Sequence, residues 1–170
     1  MSQFANDAGP SDLAILAYQV RDCTLKLFDA TDSHTLTWTP PGTANHILWH
    51  AGHAVWVADA LSIEPITGRS ELPPGWAEKF AQNSQPATVT DWPDGTEVRL
   101  QLETQLKRIL DLLYECREMI VAKADQTPPE GGWPLLHGMI HGWHDEARHQ
   151  GEMYLLLKLF NKRDRSATGE

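Results

Sequence analysis

Apolar residues in this chain recur at helical spacing, and no segment shows the sustained period-two alternation of a half-buried strand. The clearest case is Leu102, Leu106, Ile109, Leu113, Cys116 and Ile120, which step by 4, 3, 4, 3 and 4. Those steps keep the side chains on one face of a helix that turns by about 100° per residue. A second stripe, Leu13, Leu16, Val20, Cys23 and Leu27, steps by 3, 4, 3 and 4. One-sided helices must cover one another, so the feature restricts the chain to helix-on-helix packing.

Breakers set the helix limits. The first helix is predicted from about Ser11 to Ala30, with Ser11 or Asp12 capping its open N–H groups. The second follows Pro40-Pro41-Gly42 and runs from about Thr43 to Leu61. The third follows Pro93-Asp94-Gly95-Thr96 and reaches about Ala124. The fourth opens at Pro134, a favoured first helical residue after Gly131-Gly132, and reaches about Phe160. Between the second and third lies Ser62–Pro93, rich in Pro, Gly, Ser and Thr, with one short helix at Gly75–Ala81. That is long for a bundle connection, so it crosses the bundle or covers a site. The expected fold is all-α: a four-helix bundle with a long crossover between the second and third helices. It forms a single domain over 1–170, with Asn161–Glu170 as a polar tail.

Charge and composition exclude several function classes. There are 14 Lys+Arg against 23 Asp+Glu, a formal net of -9. Nucleic-acid backbones and anionic membrane surfaces both require a local excess of Lys and Arg, so neither is an expected partner. Mean hydropathy is -0.40, and every apolar run is interrupted well before bilayer-spanning length. The start MSQFANDAGP has neither the basic nor the apolar region of a secretory leader. Cys23 and Cys116 lack C-x-x-C spacing and read as small buried hydrophobes within their stripes. A cytoplasmic protein of a reducing compartment is the expectation.

Histidine is where composition turns into chemistry. Seven of the eight histidines fall in two windows: His46, His50 and His53, then His137, His141, His144 and His149. His34, in a polar loop, and His46, at a helix start, read as ordinary structural residues. His50 and His53 share one side of the second helix. His137, His141, Asp145 and His149 follow at successive i+4 steps on the fourth, and Glu152 continues that face. Side chains converging from facing helices are how bundles build metal sites, and neutral imidazole is the commonest protein ligand. Spacing leaves several triads open, combining His50 or His53 with His141, Asp145 or His149. A di-iron bundle would need Glu-x-x-His twice, and Glu146–His149 has that spacing once.

The strings HILWHAGHAVWVADAL (His46 to Leu61) and HGWHDEARHQGEMYLLLKL (His141 to Leu159) resemble the two signature helices of the DinB/YfiT-like superfamily. That superfamily includes bacillithiol- and mycothiol-dependent transferases, a mycothiol-dependent maleylpyruvate isomerase and the N-terminal domain of ergothioneine sulfoxide synthases. The resemblance covers nearly the whole chain. It implies one metal-binding histidine on the second helix and a His-x-x-x-His pair on the last. His149, in His149-Gln150-Gly151-Glu152, matches the last ligand of an H-x-G-Q/E pattern. The ligand four residues earlier falls at Asp145, where most members carry His and the mycothiol branch carries Glu. His53, followed six residues later by Asp59, matches the second-helix ligand better than His50 does. Asp is shorter than either usual residue, and neighbouring His144 is a competitor for the position.

Two imidazoles and one carboxylate leave coordination positions open, as in a catalytic site. The resemblance implies a divalent ion, with zinc or nickel expected and iron compatible with the same ligands. It also implies a low-molecular-weight thiol, giving a metal-dependent S-transferase acting on a small-molecule substrate, and a possible homodimer through helix faces. His50 and His144 are candidate proton shuttles or outer partners of the ligands, and Arg148 is a candidate to pair with a substrate carboxylate. Trp49, Trp56 and Trp143 fill the core or line the pocket. The competing expectations are a non-catalytic metal-binding or sensor bundle and a metal-dependent hydrolase.

Overall fold

The computed structural model describes residues 9–128 and 131–168, with side chains in the last helix described as far as 163. The leader reading of residues 1–8 and the end of the expected tail, 169–170, lie outside the described residues. Four long helical segments form the bundle: α1 (Pro10–Asp29), α2 (Ile47–Ala58), α5 (Gly95–Glu115) and α7 (Leu135–Thr168). Three short ones, α3 (Glu64–Thr67), α4 (Trp76–Phe80) and α6 (Arg117–Lys123), complete the set, and the described residues contain no strand. The long connection between the second and third bundle helices is present, with its short helix at Trp76–Phe80. No helix among the described residues is long and apolar enough to cross a membrane.

The buried face of α1 departs from the stripe read in the sequence. Leu13, Ala17, Arg21, Thr24 and Phe28 are buried, while Cys23 is exposed. The expectation of a buried Cys23 therefore fails, because a polar network rotates the helix by about one residue position. Arg21 Nε and Nη2 each donate to the Glu146 carboxylate at 2.9 Å, and Arg21 Nη1 donates to the Leu102 carbonyl at 2.9 Å. Thr24 Oγ1 donates to Glu146 Oε1 at 2.6 Å. Gln105 accepts from Arg21 and passes the network to α2, its Nε2 donating to the Val55 carbonyl at 2.8 Å. Arg21 and Glu146 are 0% and 1% exposed, so this ion pair is dry and ties four helices together.

Helix α2 is the centre of the molecule, with every residue except Trp56 buried. It starts at Ile47, four residues later than expected, because His46 is its N-cap: the His46 Nδ1 accepts the Trp49 N–H at 3.0 Å. The helix does not stop at Leu61. A π-helical turn, Asp59–Ile63, carries it into α3 and on to Thr67, where Gly68 ends it at φ +79. Pro65 supplies a reason for the wide turn, since its ring would collide with the carbonyl four residues back in a regular α-helix.

The third bundle helix breaks once. Cys116, half-buried, sits between α5 and α6 in a non-helical conformation, so the stripe from Leu102 to Ile120 spans two helices. Helix α7 runs eight residues beyond the expected end at Phe160, so most of the expected tail is helical. Phe160 is buried against Trp38, and Arg163, one turn further, lies 4.4 Å over the Phe160 ring.

Candidate metal centre

Three donor residues meet where α2 faces α7. His53 and His149 each turn Nε2 toward Asp145 Oδ2, at 3.4 Å in both cases. One donor atom from each of the three lies within 4.8 Å of the others. Asp145 and His149 share a face of α7 because they are one helical turn apart, and His53 comes from the buried centre of α2. Asp145 Oδ2 comes within 3.4 Å of both rings because α2 and α7 pack directly against each other.

Each imidazole is held from behind. His53 Nδ1 lies 2.7 Å from the Phe80 carbonyl oxygen. A carbonyl can only accept, so the His53 proton is on Nδ1 and its Nε2 lone pair faces Asp145. Trp49 stacks on the other side of the ring, with centroids 4.7 Å apart and planes 15° from parallel. His149 turns its Nδ1 toward His50 Nδ1 at 2.8 Å.

Asp145 Oδ2 is buried and has no hydrogen-bond partner. The two ring nitrogens are near enough to bias it electrostatically, but neither is aligned to donate. A buried carboxylate oxygen 3.4 Å from two imidazole nitrogens, neither aligned to donate to it, is a place where a cation would satisfy all three groups.

The remaining expected residues are distributed unevenly. His50 is buried and belongs to a second donor group with His149 and Glu152. Burial, then the His149, His53 and His46 rings, push its pKa down to about 3, which keeps it neutral. His144 is exposed and outside both donor groups. His141 is half-buried beneath Trp133, rings 4.9 Å apart and 17° from parallel, and His137 lies 3.7 Å from Asp125. Arg148 is exposed, with Nη1 3.7 Å from Asp145 Oδ1. Of the tryptophans, Trp49 and Trp143 are buried, and Trp56 is partly buried beside His53.

Open space adjoins the donors. A cavity of about 510 Å³ is lined by His53, Asp145, His149, Trp56, Trp133 and Arg148 among others. Two participants were invisible to sequence reasoning. The Phe80 carbonyl is backbone and leaves no residue signature, and Trp133 lies just before the helix start at which the fourth segment was read.

A helical bundle with imidazole and carboxylate donors converging from its second and last helices is the class of protein defined here. The family model for the DinB superfamily matches residues 16–153, and the chain belongs to that superfamily. A search of curated proteins finds no match.

Proposed function

We propose that His53, Asp145 and His149 hold a divalent metal ion and that the chain is a metal-dependent enzyme acting through a low-molecular-weight thiol, as an S-transferase does. The observation that carries the metal reading is the stranded carboxylate oxygen, Asp145 Oδ2, with two imidazole nitrogens at 3.4 Å and no donor aligned to it. Zinc, nickel and iron(II) all suit two imidazoles and one carboxylate. When bound, the ion supplies a Lewis-acid position at which a thiol is held as thiolate.

The residues of the chain supply the rest. Phe80 and Trp49 keep His53 in one orientation, so its Nε2 does not have to be ordered when the ion arrives. Asp145 brings the negative charge that two neutral imidazoles lack. Trp56 and Trp133 wall the adjoining cavity and shield a bound electrophile from water. Arg148, exposed at that cavity, pairs with a carboxylate of the substrate. Of the two histidines expected near the chemistry, His50 touches the donor group through His149, and His144 does not.

The thiol reading rests on the resemblance of the two signature helices, and its test is direct. Metal-loaded protein is assayed with bacillithiol, mycothiol and glutathione against an electrophile such as monochlorobimane. The expected result is conjugation with at least one thiol, abolished by EDTA and restored by adding the metal back. Failure with all three, on protein that carries metal, would instead favour a non-catalytic metal-binding bundle.

A further inference from the structure

The face of His149 turned away from Asp145 carries an arrangement that the proposed metal site does not use. His149 Nδ1 and His50 Nδ1 are 2.8 Å apart, and Glu152 Oε2 lies 3.3 Å from His50 Nε2 and 3.8 Å from His149 Nδ1. Two ring nitrogens at that separation share one proton. We propose that His50 is a positioning residue whose hydrogen bond with His149 fixes His149 as an Nε2 donor, with the Glu152 carboxylate beside both rings. This inference rests on the metal reading above.

The proton assignments follow in sequence. With Nε2 of His149 given to a cation, its only proton is on Nδ1, where it is donated to His50. His50 Nδ1 is therefore an acceptor, and the His50 proton is on Nε2. No other assignment of the two rings gives the short Nδ1···Nδ1 contact its proton while leaving His149 Nε2 bare. His50 is 2% exposed, so its orientation is fixed by packing, whereas the Glu152 side chain is 55% exposed. Glu152 lies at the solvent side of the histidine pair, at a separate cavity of about 350 Å³ lined by Asn45, His50, Glu152 and Leu155 among others. An imidazole that accepts from a ligand's second ring nitrogen raises that ligand's basicity and holds its ring plane.

The same three residues also meet the spacing of a cation site in their own right. Filling it together with the first site would require His149 to lose both ring protons. The two uses of His149 Nδ1 exclude each other, which makes the proposal testable.

The experiment combines Zn²⁺ affinity, by competition with a chelating dye, and long-range ¹H–¹⁵N correlation on Zn²⁺-loaded protein labelled at histidine. Wild type is expected to bind one Zn²⁺ per chain, with His149 coordinated through Nε2 and a hydrogen-bonded proton on Nδ1. His50→Leu is expected to lose about 10- to 100-fold in Zn²⁺ affinity and to lose the downfield position of that proton. In His50→Gln the amide oxygen accepts from His149, so most of the affinity returns. Glu152→Ala, at an exposed position that does not threaten folding, is expected to shift the same proton and weaken binding by less. If His50→Leu does not fold, the His50→Gln and Glu152→Ala spectra decide.

Three results would overturn the His50–His149 pairing while leaving the metal reading intact. These are unchanged Zn²⁺ affinity and proton position in the His50 or Glu152 variants, His149 coordinated through Nδ1, and two Zn²⁺ per chain. Wild-type protein that binds no Zn²⁺ would overturn both.

Discussion

His53 donates its Nδ1–H to the carbonyl oxygen of Phe80 across 2.7 Å, so a residue of the long crossover fixes the tautomer of a residue at the middle of α2. The crossover is anchored at two further points. Trp76 Nε1 donates to the Gly52 carbonyl at 3.0 Å, and the Phe80 ring occupies the space where a Gly52 side chain would be. Glycine at position 52 is what allows α4 to lie close enough to α2 for its last residue to reach His53. The segment that looks like a connection in the sequence is therefore the back wall of the donor group.

Gly52→Ala tests that dependence. A Cβ at position 52 collides with the Phe80 ring, and over-packing of this kind costs about 1–3 kcal/mol. The expected outcome is a lower melting temperature in metal-free protein together with weaker Zn²⁺ binding, because the carbonyl that orients His53 is displaced. Phe80→Leu in the same background relieves the clash, keeps the carbonyl and recovers part of both losses. A Gly52→Ala variant that is destabilised but binds Zn²⁺ as tightly as wild type would separate α4 from the site.

The Arg21–Glu146 pair sets the register of α1 against α7. Removing one partner leaves the other charge buried, so Arg21→Met or Glu146→Leu alone is expected to cost about 3–5 kcal/mol. The double variant replaces a dry ion pair with apolar groups, and is expected to be more stable than either single variant despite the lost hydrogen bonds to Gln105 and Thr24. Urea denaturation of the four proteins in a double-mutant cycle measures the coupling. Additive losses would mean that the pair does not fix the helix register.

The sequence shows these features unequally, for physical reasons. Hydrophobic spacing gives the number and order of the bundle helices, because burial of one face is what the spacing records. It misplaces the face of α1 by one position, since Arg21 and Thr24 count as polar when read along the chain and become buried only when Glu146 arrives from 125 residues away. It misses the extension of α2 through Asp59–Ile63, because a wide turn that accommodates Pro65 has no periodicity of its own. The histidine register brings out His53, Asp145, His149 and His50 because i+4 spacing is local geometry. Spacing alone cannot separate His50 from His53; what distinguishes them in space is the Phe80 carbonyl, which is a property of the crossover.

Acid is expected to destabilise the chain through His46. Burial lowers its pKa from the ordinary 6.5 to about 4 in the folded state. Between those values the unfolded chain takes up a proton that the folded chain does not. The contribution is therefore fully present above pH 6.5 and is lost as pH falls toward 4, by an amount on the order of 3 kcal/mol. Protonating Nδ1 would also remove the acceptor that caps α2 at the Trp49 N–H. His46→Asn keeps a capping oxygen and deletes the titration, so its stability is expected to depend less on pH than that of wild type across this window. An equal loss of unfolding free energy between pH 7 and pH 5 in wild type and His46→Asn, measured by urea denaturation, would contradict the assignment.

The most direct test of the central claim is an anomalous-difference map from crystals loaded with Zn²⁺. One peak is expected per chain, about 2.0–2.2 Å from His53 Nε2, His149 Nε2 and a carboxylate oxygen of Asp145. No peak at that position, or a peak held by His50 and Glu152 in its place, would contradict it.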